Sequence, residues 1–296
     1  MRVADQQMYG TLLGNLQRSR QQILMAQQEV SSQKKVTQPS DDPSAFGQIV
    51  LDKSALSQND QWIRNIQFGT ARVEAAGGAL GETQNLLTRI RELTIQARSD
   101  TTSAEGRVTI AQEVRQLHRQ LLQLANTEVS GQAVFGGTET NVTPFTITSG
   151  DTVSYQGNTE AQDISVSPNQ TVQILVPGSQ IFTGPTTNIF TSVSSLLAAL
   201  ESNNSGGIDT AIGNLDRATS QISDAQGTVG ALANRLEATR TALNTASVTI
   251  KQALSDKEDA DLATAITQLS LQQVAVEATS QAFTKIFNTS LLNFLK

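Results

Sequence analysis

The sequence predicts a mainly α fold: a long antiparallel helical bundle or coiled coil built from both ends of the chain, with a small inserted all-β domain. Three observations lead there. First, Ile208, Leu215, Ile222, Val229, Leu236, Leu243 and Ile250 stand seven apart in one uninterrupted run. The positions three further on are Ala211, Ala218, Ala225, Leu232, Thr239, Ala246 and Ala253. A bulky row beside a nearly all-small row lets a second helix approach closely, and at 1.5 Å per residue the run is roughly 70 Å long. Second, 38% of the residues are hydrophobic but only 4% aromatic, which suits slender helical packing better than a thick globular interior. Third, the hydrophobic period changes to two at Gln132 and returns to helical spacing later, so helices flank a β segment.

The opening helix is read from Tyr9, Leu16, Ile23 and Val30, with Leu12, Leu13 and Ala26 in support, and its stop from Thr37-Gln38-Pro39. Ser40-Asp41-Asp42-Pro43 follows as a helix start, with Asp42 or Ser40 as cap and Pro43 in the first turn, where its missing N–H costs nothing. The next helical stretch, 44–98, carries Ile66, Val73, Leu80 and Leu87 on one row with Ala76, Ile90 and Ala97 beside it. Gly69, Gly77, Gly78 and Gly81 interrupt it. Each costs about 0.5 to 1 kcal/mol relative to alanine, so close packing or a bend is expected there. Thr102-Ser103-Ala104-Glu105 reads as a capping box. It opens a third helix with Ile110, Val114, Leu117, Leu121 and Leu124 alternating steps of four and three.

The β segment contains the runs 133–135, 145–147, 153–155, 164–166 and 172–176, divided by Gly136-Gly137, Gly150-Asp151, Gly157-Asn158 and Pro168-Asn169. A short helix over 190–200 and the Asn203-Asn204-Ser205-Gly206-Gly207 turn lead into the long helix. The last helix repeats the heptad with Leu262, Leu269, Val276 and Phe283, flanked by Ile266, Ile286 and Phe287. From Ile250 to Leu262 is out of phase, which places a joint near Asp256-Lys257-Glu258-Asp259. The expected division is therefore 1–43 and 256–296 as two halves of a terminal helical domain, 44–131 and 189–255 as two parts of a central bundle, and 132–188 as the β insertion.

Chemistry is sparse. A net charge of −6 argues against a nucleic-acid partner, and Lys34-Lys35 is read as a solvated pair. The absence of cysteine removes disulfides, thiolate metal sites and cysteine nucleophiles. The first residues hold no apolar core of about 7 to 15 residues, so no ordinary signal peptide is expected. No stretch approaches the roughly 18 apolar residues of a membrane span. His118 is the only histidine and is placed at a surface or bundle edge. Asp41-Asp42 is assigned to helix capping. The acidic run Asp256, Glu258, Asp259 and Asp261 lacks the sixth-position glycine and acidic twelfth ligand of a calcium loop, so no metal or other cofactor is expected.

Residues 30–36, with Ser31 and Ser32, followed by Pro39-Ser40-Asp41-Asp42-Pro43, resemble the N-terminal signature of the bacterial flagellin family, usually SSGK+I and then PSDDPA. Gln33 stands where the family has glycine, and Ser44 where it has alanine. Residues 230–237, with Asn234 and Arg235, resemble the family's GAxxNRLE segment, and 259–263 its C-terminal DxDxA. Within the family, Ala125-Asn126-Thr127 through Phe135-Gly136-Gly137-Thr138, the VSYQGN of 153–158 and the phenylalanine-rich tail 283–295 are more similar to members that join hook to filament than to the filament subunit.

The resemblance implies a secreted, non-enzymatic structural protein of the flagellum, exported by the flagellar type III route and placed between the first hook-associated protein and flagellin. It implies self-association in a ring or helical layer, and an export chaperone at the C-terminal helix. Assembly is expected to run through Tyr9, Leu16, Ile23, Val30, Leu262, Ile266, Leu269, Val276, Phe283 and Phe287. A lone helix pair buries too little to offset the entropy of ordering it, so both ends are expected to be mobile in the free monomer and to fold on assembly. Two other readings stand beside this one. The first is a filament subunit; the second is a secreted binding module or enzyme using Asp151, Tyr155, Glu160 or Asp163 in the β insertion.

Overall fold

The computed structural model describes residues 2–184 and 186–294. Its helices are α1 (Arg2–Ser32), α2 (Pro43–Arg98), α3 (Ala104–Ala125), α4 (Gly178–Ile181), α5 (Ile189–Glu201), α6 (Ser205–Glu258) and α7 (Leu262–Phe294). The strands are β1 (Glu128–Val129), β2 (Gln132–Ala133), β3 (Phe145–Ser149), β4 (Thr152–Tyr155), β5 (Gln162–Ser167) and β6 (Gln170–Leu175). The chain is thus mainly α with a small β insertion. Two compact units are formed, one from Gln58–Ala246 and one from Met1–Ser57 with Ser247–Lys296.

In the unit 58–246, α2 and α6 run antiparallel. Asn59 Nδ2 donates to Leu243 O at 2.8 Å, Arg91 pairs with Asp216 at 2.6 Å, and Arg98 pairs with Asp209, so partners advance along one helix as they retreat along the other. Arg89 with Glu113 and Arg107 with the Ala97 carbonyl show the same order for α2 and α3. The row Ile66, Val73, Leu80 and Leu87 is buried with Ala76, Ile90 and Ala97. It belongs to one core with Ile208, Leu215, Ile222, Val229 and Leu236 of α6, beside which Ala211 and Ala218 are also buried. The heptad row opens at its far end: Leu243 is only half-buried, and Ile250, in the other unit, is half-buried too.

Several local expectations are corrected. α3 starts one residue later than a box on Thr102 requires: Ser103 is the N-cap and accepts from Gly106 N at 3.1 Å, which leaves Glu105 in the second helical position. The buried face of α3 is Ile110, Ala111, Val114, His118, Leu121 and Ala125, while Leu117 and Leu124 are half-exposed. His118, expected at an edge, is 2% exposed. An imidazole is flat and amphipathic, and this one lies edge to face against Phe190 with ring centroids 5.9 Å apart.

The β insertion forms three separate antiparallel hairpins, β1-β2, β3-β4 and β5-β6. Residues 134 and 135, expected in a strand, instead leave β2 to enter the core. Phe135, Phe145, Phe182 and Phe190 pack with centroid separations of 5.2 to 5.3 Å for three of their pairs, so a third of the chain's few aromatics sit in one place. Asn126, just past α3, bonds both ways to Phe145, Nδ2 to its O and Oδ1 from its N, each at 2.8 Å. Gly69 explains how β5-β6 lies on α2: a Cβ there would stand 2.8 Å from Ile174 Cγ2 and 3.0 Å from Ile164 Cδ1. Gly78 and Gly81 face open space, so only Gly69 among the α2 glycines meets a neighbour that closely.

Candidate assembly site

In the unit made from the two ends, α1 and α7 pack against each other. Ala26 and Ala265 are buried, and Leu16, Ile23, Val30, Leu269 and Val276 are half-buried. Leu262 and Ile266 are exposed. The side chains of Tyr9, Phe283 and Phe287 lie outside the described residues. Two helices in contact can shield only the faces they turn to each other, so the rest of the apolar surface stays in water: Leu24 is 64% exposed, Met25 68%, Leu271 65% and Val274 64%. Val50, Leu51 and Val248 of the same unit are exposed as well. Scattered exposed leucines are ordinary, but this density on thin helices marks a surface made for a partner.

Where these helices begin and end, a polar clasp holds the chain. α1 stops at Ser32, earlier than Thr37-Gln38-Pro39 suggested, because Gln33 takes a left-handed conformation with φ 60°. The turn swings 33–35 alongside the end of α6. Ala260 N donates to Gln33 O at 3.0 Å, Lys35 N to Glu258 O at 2.8 Å, and Lys34 forms an antiparallel bridge with Asp259. Glu258, 5% exposed, accepts from Lys34 Nζ at 2.6 Å and Lys53 Nζ at 2.7 Å. Burial alone would push its carboxyl up, but the two lysines together outweigh that and hold it below its usual value. Lys257 pairs with Asp52 at 2.8 Å, and Lys35 Nζ reaches the Asp256 carbonyl at 2.7 Å.

Lys34-Lys35 is therefore part of this clasp and not merely solvated. The signal available was two lysines just before the stop of the first helix and acidic residues at the joint near 256–259. Lys53 and Asp52 carried no such mark.

The motif residues divide their work. Ser31 Oγ donates to Gln28 O, and Ser32 Oγ lies 3.2 Å from both the N and O of Lys34. Pro39 and Ser40 are exposed in the turn before α2. Asp42 caps α2, accepting from Ser44 N at 3.0 Å and Ala45 N at 2.9 Å, with Pro43 as first helical residue. Asp41 does not cap the helix. Its carboxylate turns back to the Thr37 and Gln38 amides at 2.9 and 3.1 Å, and these, Thr37 first, hold it below the usual range. Asp261 caps α7, accepting from the Thr264 hydroxyl and from the Ala263 amide, and is held low by Thr264 first. Asn234 and Arg235 are exposed on α6.

In the β insertion Asp151 pairs with Arg115 at 3.2 Å. The Tyr155 hydroxyl lies between Phe135 O at 3.0 Å and Asn158 O at 2.8 Å. Glu160 and Asp163 are exposed. These partners are structural, and glycine is required around them: a Cβ on Gly157 would meet the Tyr155 hydroxyl at 2.5 Å and Gly136 O at 2.6 Å. Arg72, not singled out by its position beside Val73, is fully buried and donates to Ala133 O at 2.6 Å and Gln132 Oε1 at 2.9 Å. Among the described residues no group of His, Asp and Glu is arranged to hold a metal, and no helix is long and apolar enough to cross a membrane.

Long helices from both ends of one chain, an unfinished apolar face on the terminal pair and a β insertion without a reactive constellation define a helical assembly subunit. The bacterial flagellin N-terminal helical region matches residues 3–140 and the bacterial flagellin C-terminal helical region matches 212–295. The chain belongs to the bacterial flagellin family.

Within it, the chain is similar to flagellar hook-associated protein 3 of Escherichia coli strain K12, 27% identical over 320 aligned positions that cover 100% of both chains. It is also similar to flagellin FlaB1 of Treponema pallidum, 26% identical over 252 positions covering 85% of this chain and 84% of that one. The crystal structure of the flagellar junction protein FlgL from Legionella pneumophila shares the fold, with a TM-score of 0.59 and 19% identity over 72% of this chain and 100% of that chain.

Proposed function

We propose that this protein is a structural adaptor that joins the flagellar hook, through the first hook-associated protein, to the flagellin filament. The observation that carries the reading is the exposed apolar surface of α1 and α7 in a chain alignable from end to end with a hook-associated protein 3. Neighbouring copies would cover that surface in a ring or helical layer, with Leu16, Ile23, Val30, Leu262, Ile266, Leu269 and Val276 at the joined faces. The residues Tyr9, Phe283 and Phe287 extend the same rows in sequence and are assigned to the same assembly.

Export through the flagellar type III route would then require the apolar C-terminal helix to be masked, and an export chaperone is assigned to that helix. The division into terminal halves 1–43 and 256–296, central parts 44–131 and 189–255, and insertion 132–188 is kept as the functional plan. The role is non-enzymatic and needs no cofactor.

A deletion strain tests this. Hooks without filaments, with flagellin released into the medium, are expected, and return of filaments on complementation completes the result. Normal filaments in the deletion strain would overturn the proposal. The filament-subunit reading would be favoured if the purified protein alone polymerised into long filaments.

A further inference from the structure

The single histidine sits where a proton would matter. His118 of α3 is almost fully buried, and its Nε2 has no hydrogen-bond partner among the described residues. Its ring packs in a T-shaped contact with Phe190 on α5, and Phe190 in turn packs on Phe145 of β3 with centroids 5.2 Å apart. One turn back on α3, Arg115 Nε holds Asp151 in the β3-β4 turn at 3.2 Å, and its Nη2 holds Glu201 at the end of α5. The charged groups facing the imidazole are thus Arg115 and Arg119 from its own helix, Asp151 from the hairpin, and Glu201 from α5 through Arg115.

We propose that His118 makes the docking of the β3-β4 hairpin and α5 on α3 proton-sensitive, neutral and closed near pH 7 and loosened when the ring is protonated. The geometry gives the reason. An added proton places a further cation near Arg115 and Arg119 on a ring closed to water, and the carboxylates on that side, Asp151 and Glu201, are already held by Arg115. Moving the hairpin tip or the first turn of α5, which carries Phe190, away is the direct way to hydrate the imidazolium. Burial, the largest influence, pushes the His118 pKa below its usual 6.5, which Asp151 only partly opposes.

The sign follows. A depressed histidine binds fewer protons in the closed state than in the open one. Closure is therefore fully favoured above about pH 6.5 and weakens as pH falls from there to the closed-state value. Each unit between the two midpoints is worth about tenfold in the closing equilibrium.

Because the chain has one histidine, the intact protein gives one imidazole titration by nuclear magnetic resonance. The expected midpoint lies below 6.5, and amide exchange in 145–155 and 189–201, corrected for its intrinsic pH dependence, accelerates across the same interval. In His118→Gln that interval is flat, and in Asp151→Asn the midpoint falls further. A midpoint at or above 6.5 in the wild-type protein, unchanged protection across the titration, or equal acceleration in His118→Gln would each overturn the proposal. The wild-type titration decides the matter even if a variant fails to fold.

Discussion

Gln33 occupies a left-handed position that glycine adopts without a steric penalty, and the resemblance to other family members places glycine there. The left-handed conformation costs a non-glycine residue about 1 to 2 kcal/mol, while glycine loses somewhat more entropy on ordering. The first term is larger at a helix end, so Gln33→Gly should stabilise the end of α1 by roughly 0.5 to 1 kcal/mol, read as slower amide exchange at 33–36. Glu258→Gln acts oppositely. Loss of the charge weakens two lysine hydrogen bonds, costing about 1 to 2 kcal/mol, since charge-assisted bonds are worth more but both lysines are half-exposed. Its pH profile is diagnostic. The Glu258 carboxyl sits below its usual 4.5, so its contribution is present above about pH 4.5 and is lost as pH falls through the lowered value. Protection at 33–36 should show that loss in the wild-type chain and lack it in the glutamine variant. Neither Glu258 nor His118 was legible in advance: a buried ion needs partners from remote segments, and periodicity records burial without revealing which polar residues share it.

Helices were the most legible part because their evidence repeats. Ile66 to Leu87 and Ile208 to Leu236 each supply several turns of agreement, and both rows are buried. The strands were located by their alternation, yet their arrangement as three hairpins depends on pairing that short runs do not encode, and 134–135 looked like a strand because any run of apolar residues does. Single glycines show the same limit. Gly69 and Gly78 are indistinguishable in sequence, but one faces Ile174 and the other open space. Gly78→Ala should gain the ordinary helix preference of about 0.5 to 1 kcal/mol and raise the melting temperature. Gly69→Ala gains the same preference but overpacks β5-β6, which costs about 1 to 3 kcal/mol. Its net effect is destabilising, with faster amide exchange in 162–175 as the local readout. Equal behaviour of the two variants would refute the packing account of Gly69.

The two compact units differ in how far each is completed by its own chain. The unit 58–246 has a continuous core from Ile66 to Leu236, including the Phe135, Phe145, Phe182 and Phe190 cluster. Among the described residues, the unit built from the ends has few buried apolar side chains, Ala26, Val36, Ile49 and Ala265 among them, and leaves Leu24, Met25, Leu271 and Val274 in water. Conformational entropy is paid residue by residue in both. Only the first has burial to match it internally, so the second should gain its missing burial from neighbouring copies. Hydrogen exchange on dilute monomer should therefore find 66–121 and 208–236 strongly protected, and α1 and α7 weakly protected until assembly. Strong protection of both terminal helices at high dilution would contradict this. The surface itself can be tested separately: Leu24→Glu with Leu271→Glu adds charge at positions already exposed, so monomer melting should shift by less than about 0.5 kcal/mol. Filament formation in a complemented deletion strain should nevertheless fall sharply, because the same carboxylates would be buried against the next copy. Wild-type filament yield from that double variant would remove these two positions from the joined faces.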